Sequence, residues 1–183
     1  MLITVRELQI QRFDFDEKFT PGAVDLGDEL RQTSPLDTRG HAELLEEHRG
    51  GRLGTISDIR LVGEMVTDIE ALCARCLDPV AQHIDRKFDL LYRPLGVDRK
   101  GDEAAIHEPD TEIGYYQGDG LQLEDALREQ ILLAVPIKLV CKDECKGLCP
   151  QCGGNLNRES CSCAVPQTDV RWAALKDLKD KLK

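Results

Sequence analysis

From Ile59 onward the odd positions read Ile59, Leu61, Gly63, Met65, Thr67, Ile69, Ala71 and Cys73, while Arg60, Glu64, Asp68 and Glu70 stand at even ones. A period of two with one polar face predicts a half-buried strand. The next segment repeats the pattern, with Val80, Ile84, Phe88, Leu90 and Tyr92 on one side and His83, Asp85, Lys87 and Asp89 on the other. Between the two lies Cys73-Ala-Arg-Cys-Leu-Asp-Pro79, which puts a C-x-x-C pair on a hairpin tip. Upstream, residues 1–20 predict an opening strand carried by Leu2, Val5, Leu8, Ile10, Phe13, Phe15 and Phe19. Pro21-Gly22 predicts a turn, and residues 26–36 an irregular stretch with one helical turn. Residues 40–48 predict a second strand, closed by a hairpin turn at Arg49-Gly-Gly-Arg52, where paired glycines supply positive φ.

Downstream, residues 93–120 are rich in Gly, Asp, Glu and Pro and predict a long loop. A helix follows from about Gln122 to Ala134, with Leu123, Ala126, Leu127, Ile131 and Ala134 as its apolar stripe, an i,i+4 pair of Glu124 with Arg128, and Pro136 as its stop. Residues 137–140 predict a short strand that leads into Cys141. After Cys163 come Pro166 and a closing helix from Thr168 or Asp169, with Leu175, Leu178 and Leu182 along one side. The fold class this predicts is α+β: an antiparallel meander or open barrel-like sheet, two helices and a Cys-rich zinc-knuckle segment. Residues 1–140 would form the sheet domain with its helix near 122–134. Residues 141–183 would form the Cys-rich segment and closing helix, packed on the first part.

Composition narrows the function more than the fold. In 183 residues, 41% are apolar, enough for a core, and the formal net charge of −10 argues against a broad electropositive footprint for nucleic acid. The lysines at 176, 179, 181 and 183 complement a helix C-terminus more simply than they contact RNA. No stretch reads as a signal peptide or a membrane span, which points to the cytoplasm. In that compartment cysteines are metal ligands before they are disulfides.

Eight cysteines occur, six of them in CKDECKGLCPQCGGNLNRESCSC at positions 141, 145, 149, 152, 161 and 163. Thiolates two or three residues apart and interleaved with glycine have the spacing of structural zinc ligands. Backbone N–H groups near Gly153 and Gly154 are placed to hydrogen-bond the thiolates. The count suggests two four-cysteine sites. One takes Cys149, Cys152, Cys161 and Cys163 as a local knuckle; the other joins Cys73 and Cys76 from the hairpin tip to Cys141 and Cys145. A single zinc with spare thiols is the other arrangement of the same residues. Two four-thiolate zinc sites would carry the net charge from −10 to about −14.

Enzyme readings find less support. A C-x-x-C can be a redox dithiol, but such pairs sit at helix N-termini, and Cys73/Cys76 sits between strands. The four histidines (41, 48, 83 and 107) lack metal spacing, and neither a phosphate-cradling glycine loop nor G-x-S-x-G occurs. A non-enzymatic zinc protein is therefore the first reading, and a cytoplasmic dithiol protein using Cys73 and Cys76 the second.

Several runs together resemble the YceD family of large ribosomal RNA subunit accumulation proteins. They are Asp25-Leu-Gly-Asp-Glu-Leu30, Cys73-Ala-Arg-Cys76, Leu127-Arg-Glu-Gln-Ile-Leu-Leu-Ala-Val-Pro136, and Cys141-Lys-x-x-Cys-Lys-Gly-Leu-Cys-Pro-x-Cys-Gly-Gly-Asn-Leu-Asn157 with Cys161-x-Cys163. The resemblance implies a cytoplasmic bacterial factor that supports large-subunit ribosomal RNA, and it supplies no reaction, partner or catalytic residue. With this acidity, contact with a basic ribosomal protein or an assembly factor fits better than direct contact with the RNA.

Overall fold

A computed structural model describes residues 1–48, 55–97 and 113–163. The alternating segments become two long strands, β5 (Thr55–Leu72) and β6 (Pro79–Pro94), paired antiparallel without interruption from Ile59 opposite Tyr92 to Leu72 opposite Pro79. Ile59, Leu61, Met65, Thr67, Ile69, Ala71 and Cys73 are buried as their odd positions predict, and Ile84, Phe88 and Tyr92 lie on the same face.

The strand predicted at 40–48 begins earlier, as β4 (Leu36–His48), and pairs antiparallel with β5 from Asp37 opposite Val66 to His48 opposite Thr55. The glycine pair predicted to turn between them lies outside the described residues. The stretch predicted to be irregular contains a three-residue strand, β3 (Leu30–Gln32), along the same edge of β5. Pro35 separates β3 from β4. At that break the N–H groups of Thr33 and Ser34 both reach the Asp68 carbonyl, so the edge continues through an offset.

Four aromatic and glycine positions explain how these strands bend around a core. Phe15 stands opposite Gly40, Gly40 opposite Gly63, and Gly63 opposite Phe88. Each ring lies over the neighbouring glycine, in the space a side chain would take. Long twisted strands need such relief, and ring packing restores the contact the glycines forgo.

The opening strand is split. β1 (Leu2–Thr4) runs into a one-turn helix, α1 (Val5–Leu8), and β2 (Phe13–Phe19) then pairs with β4. The break has a cause in the sequence: Thr4 and Glu7 form a reciprocal capping box, with Glu7 N–H on Thr4 Oγ1 at 3.2 Å and Thr4 N–H on Glu7 Oε2 at 3.1 Å.

The long loop also contains more than predicted. β7 (Ile113–Tyr116) joins the edge of β6 in parallel, and β8 (Gly120–Gln122) pairs with β1. The main sheet is therefore mixed and open, in the order β2-β4-β5-β6-β7 with β3 beside β5.

Helix α2 (Leu123–Ala134) covers the core with Leu123, Ala126, Leu127 and Ile131. The predicted Glu124–Arg128 pair is not made. Glu124 pairs with the Met1 amino group, and Arg128 donates to the Asp25 carbonyl. Residues 137–140 form a turn and an irregular stretch rather than a strand. The predicted closing helix lies outside the described residues, so the second described helix is α1. Among the described residues no helix is long and apolar enough to cross a membrane.

A methyl group at Gly40 would lie 2.2 Å from the Val62 carbonyl oxygen and 2.6 Å from Gly63 Cα, both backbone. Gly40→Ala should therefore destabilise the protein by about 2–3 kcal/mol in urea unfolding, because β4 and β5 must separate to admit it. A loss under about 0.5 kcal/mol would mean that the sheet accommodates the group by a small shift.

Candidate metal centres

The hairpin tip is a tight six-residue connection. Cys73 N–H donates to the Asp78 carbonyl at 2.8 Å and Leu77 N–H to the Cys73 carbonyl at 3.0 Å, with Leu77 at φ +60°. A non-glycine residue in that region is uncommon, and here it turns the chain back into β6 at Pro79. The later segment docks against the tip through its backbone. Ala74 N–H meets the Leu139 carbonyl at 2.8 Å, and Leu148 N–H meets the Arg75 carbonyl at 3.0 Å. These bonds bring Cys141 and Cys145 beside Cys73 and Cys76.

All four sulfurs of this group lie within 4.8 Å of one another. Cys73 and Cys145 Sγ are 3.9 Å apart, and Cys76 and Cys141 Sγ 3.7 Å. A tetrahedral zinc with Zn–S bonds of about 2.3 Å would space its sulfurs at about 3.8 Å, so the donor set fits such an ion. Cys73, Cys76 and Cys145 are buried, with Val80, Val140 and Leu148 packed against them; Cys141 is exposed.

The sulfurs are not chemically equal. Burial pushes the Cys73 thiol up, but N–H groups of Arg75 (3.5 Å) and Cys141 (3.4 Å) outweigh it and hold the thiol at about 6. Burial opposes ionisation of Cys145 too, but the Asn157 side-chain amide, 3.3 Å away, and the Gly147 N–H bring it below its ordinary value. Cys76 moves the other way. The Asp78 N–H favours its thiolate, but burial and the neighbouring sulfurs lift it to about 12. Four thiolates this close repel one another, so some ionise at the expense of the rest unless a cation sits among them.

Cys149, Cys152, Cys161 and Cys163 form a second group, again with all sulfurs within 4.8 Å. Cys149 N–H donates to the Gly154 carbonyl at 2.8 Å, and Gly153 N–H to the Cys149 carbonyl at 2.9 Å. Gly153 has φ +71°, a conformation open to glycine. The donors to the Cys149 sulfur are the N–H groups of Cys152 and Gln151, which hold that thiol at about 6. The Gly153 N–H expected there is spent on the carbonyl. Cys163 is pushed up to about 12, first by Cys152 and then by burial. Cys149 is buried, Cys163 half-buried, and Cys152 and Cys161 exposed.

Between the ligands of the second group, the chain returns to the first. Leu148 bridges to Asn155, and Leu156 N–H donates to the Gly147 carbonyl at 3.0 Å. Asn155 Nδ2 and the Arg158 guanidinium both reach the Asp78 carboxylate, at 3.0 and 2.8 Å. Asn157 Oδ1 accepts the Lys146 N–H at 2.9 Å while its amide bonds Cys145 Sγ. The Arg75 guanidinium donates to the carbonyls of Asp143 and Cys145, at 2.9 and 3.0 Å. Sequence reasoning quoted Arg75, Asp78, Asn155 and Asn157 only within longer runs and gave them no role. The run Gly153-Gly-Asn-Leu-Asn157 was the available signal, since asparagines beside a thiolate knuckle can serve its outer shell. No histidine belongs to either group; His83 pairs instead with Asp68 at 2.7 Å on the exposed sheet face.

The family model of "Large ribosomal RNA subunit accumulation protein YceD" matches residues 61–179, which takes in all eight cysteines. An uncharacterized protein of Mycobacterium tuberculosis is 29% identical over 165 residues, covering 86% of this chain and 75% of that protein. The uncharacterized protein YlbN of Bacillus subtilis is 26% identical over 176 residues, 95% of this chain and 92% of that one. A maize protein, the chloroplastic large ribosomal RNA subunit accumulation protein YCED homolog 1, is 30% identical over 57% of this chain and 44% of its own length. No solved structure matches the chain.

Asp78→Ala removes the acceptor shared by Asn155 and Arg158. Amide exchange at Leu156 to Glu159 should rise about tenfold or more, because bonds to a charged acceptor are lost, while β5 and β6 keep their protection. Faster exchange spreading along Ile59 to Leu72 would show that Asp78 serves the hairpin rather than the docked segment.

Proposed function

The chain belongs to the YceD family of large ribosomal RNA subunit accumulation proteins, and from that premise we propose that it is a zinc-stabilised, non-enzymatic factor supporting accumulation of large-subunit ribosomal RNA. The observation that carries the metal part is the gathering of eight cysteines into two groups of four sulfurs. Zinc is the ion this chemistry favours: an all-thiolate, tetrahedrally spaced donor set suits it better than the hard cations, which take oxygen. Cys73, Cys76, Cys141 and Cys145 would hold one ion, and Cys149, Cys152, Cys161 and Cys163 the other. With four sulfurs each, both centres would be closed and would stabilise structure rather than activate water. Residues 1–140 then serve as scaffold and residues 141–183 as the part fixed by metal.

The dithiol alternative draws on the low Cys73 thiol. That sulfur is fully buried, however, and its pair lies between strands with no helix N-terminus to poise it. The backbone N–H groups that lower this thiol are the donors a zinc-bound thiolate uses, and they need no redox partner.

The acidity supports action through protein contact. A chain of net charge −10 is drawn to a basic ribosomal protein or an assembly factor, and repelled by a bare phosphate backbone. Such contacts weaken with salt and survive ribonuclease.

Two zinc ions per chain are the expected content under reducing conditions, measured by native mass spectrometry and elemental analysis. In cells lacking the protein, the ratio of large- to small-subunit ribosomal RNA should fall; the wild-type chain should restore it and Cys149→Ser should not. A chain carrying no zinc, with a titratable Cys73/Cys76 couple, would sink the metal reading in favour of the dithiol one. Loss of ribosomal protein from pull-downs after ribonuclease would point to RNA as the direct partner.

A further inference from the structure

The Cys149 group has all its ligands within fifteen residues, Cys149 to Cys163, whereas the Cys73 group must bring Cys76 and Cys141 together across 64 intervening residues. They are not separate modules. The segment from Gly147 to Arg158 contributes Cys149 and Cys152 to one group and a wall of the other. We propose that this segment couples the two centres, so that metal held by Cys149, Cys152, Cys161 and Cys163 strengthens metal binding by Cys73, Cys76, Cys141 and Cys145. The coupling rests on the zinc reading above.

The wall is specific. Asn157 bonds the Cys145 sulfur at 3.3 Å and fixes the Lys146 N–H beside it at 2.9 Å. Its own orientation is held from Asn155, whose Oδ1 accepts both the Asn157 N–H and its side-chain amide at 3.0 Å. Asn155 in turn is anchored to Asp78, whose carboxylate is 3.5 Å from the Cys76 sulfur. Leu148, immediately before Cys149, packs on Cys73, Cys76 and Cys145, and its N–H bonds Arg75 between the two tip cysteines.

Asn155, Asn157 and Leu148 lie on a loop whose closure, from the Leu148–Asn155 bridge to the Cys149–Gly154 bond, is the fold of the other knuckle. With the knuckle closed, the loop arrives with Asn157 and Leu148 already placed. With it open, the Cys73 centre must order twelve more residues from Gly147 to Arg158 when it binds. That ordering cost lowers its affinity, and by linkage metal at the Cys73 centre favours the Cys149 centre equally. Asn157 is a positioning residue in this scheme: it orients a ligand sulfur and does not itself bind metal.

The test uses the full chain, apo and reduced, titrated with cobalt(II) and followed by native mass spectrometry and the cobalt–thiolate absorption band. Disabling the Cys149 centre with Cys161→Ser/Cys163→Ser should raise the Kd of the Cys73 centre about tenfold, within the range usual for coupled sites. Asn155→Ala/Asn157→Ala should weaken the Cys73 centre to a similar extent and, by the same linkage, remove the help its metal gives the Cys149 centre, and combining it with the cysteine pair should add little further loss at the Cys73 centre. Asn157→Ala retains all eight cysteines. It should shift the cobalt spectrum of the Cys73 centre while the amides of β4 to β6 stay protected, which separates a positioning effect from a folding defect. A Kd for the Cys73 centre that is the same with and without the Cys149 centre overturns the coupling and leaves the zinc reading standing. A wild-type chain that binds no metal removes both.

Discussion

The register of one strand pair fixes nearly everything else in the molecule. From Ile59–Tyr92 to Leu72–Pro79, each residue of β5 meets a fixed partner on β6. A slip of one residue would turn Ile59, Leu61, Met65 and Ile69 from the core to the wet face and bring the alternate set inward. Each of those four is completely or almost completely buried, and each full burial of such a side chain contributes about 1.5–3 kcal/mol, so the slip is strongly disfavoured. The same register decides where the sequence turns back, and the turn holds Cys73 and Cys76. The position of a sulfur group is thus set by apolar packing along the ribbon before any thiolate chemistry begins.

That dependence explains which features could be read from the chain. The β5–β6 alternation is long, regular and backed by burial, and α2 has a complete apolar stripe; both were legible. Local spacing and an even count suggested two groups of four sulfurs beside a single-zinc arrangement, and the folded chain draws the sulfurs into two groups. Four small elements were not legible. β3, β7 and β8 have three or four residues each, too few to show a period, and β8 finds its partner β1 far back along the chain. α1 did leave a local signal, the Thr4-x-x-Glu7 capping box, but an apolar run through Val5 and Leu8 masked it as strand. The outer residues of the centres were hidden more deeply. Nothing in the neighbourhood of Asn157 tells that its amide faces Cys145, because the contact depends on a loop folding back between ligands of the other group.

Charge is managed differently on the two parts of the surface. Across the wet sheet face, cations and carboxylates pair between strands: Lys18 with Asp37 at 2.8 Å, Arg39 with Glu64, and Arg60 with Asp89 at 2.7 Å and Glu43 at 3.2 Å. Such exposed pairs contribute little to stability, commonly under about 1 kcal/mol. Three cations there meet four carboxylates, so the pairing offsets part of the charge and leaves this face acidic. At the tip, by contrast, the exposed cations Arg75 and Arg158 bond groups of the tip and the docked segment. Arg75 satisfies carbonyls of the docked segment and Arg158 satisfies Asp78. These two arginines hold the tip and the segment together and are poorly placed to double as a phosphate grip.

The tie between tip and segment has two layers, and their order matters for how the protein works. Backbone bonds, the Arg75 fork and the packing of Val80, Val140 and Leu148 would hold the segment loosely even with thiols alone. Yet the same arrangement sets thiols against one another, Cys73 low and Cys76 high, which is an electrostatic cost that contacts of this kind cannot remove. A divalent ion among four sulfurs turns that mutual repulsion into attraction, and in zinc knuckles the binding free energy becomes folding free energy, on the order of 10 kcal/mol. On the zinc reading, the organic contacts therefore choose the geometry and the ion supplies the rigidity. A surface fixed in this way binds a partner without first ordering a loop, which lowers the entropy cost of association. On the proposed reading of an acidic protein that acts by contact, that rigidity is the physical reason to gather eight cysteines beside one hairpin tip.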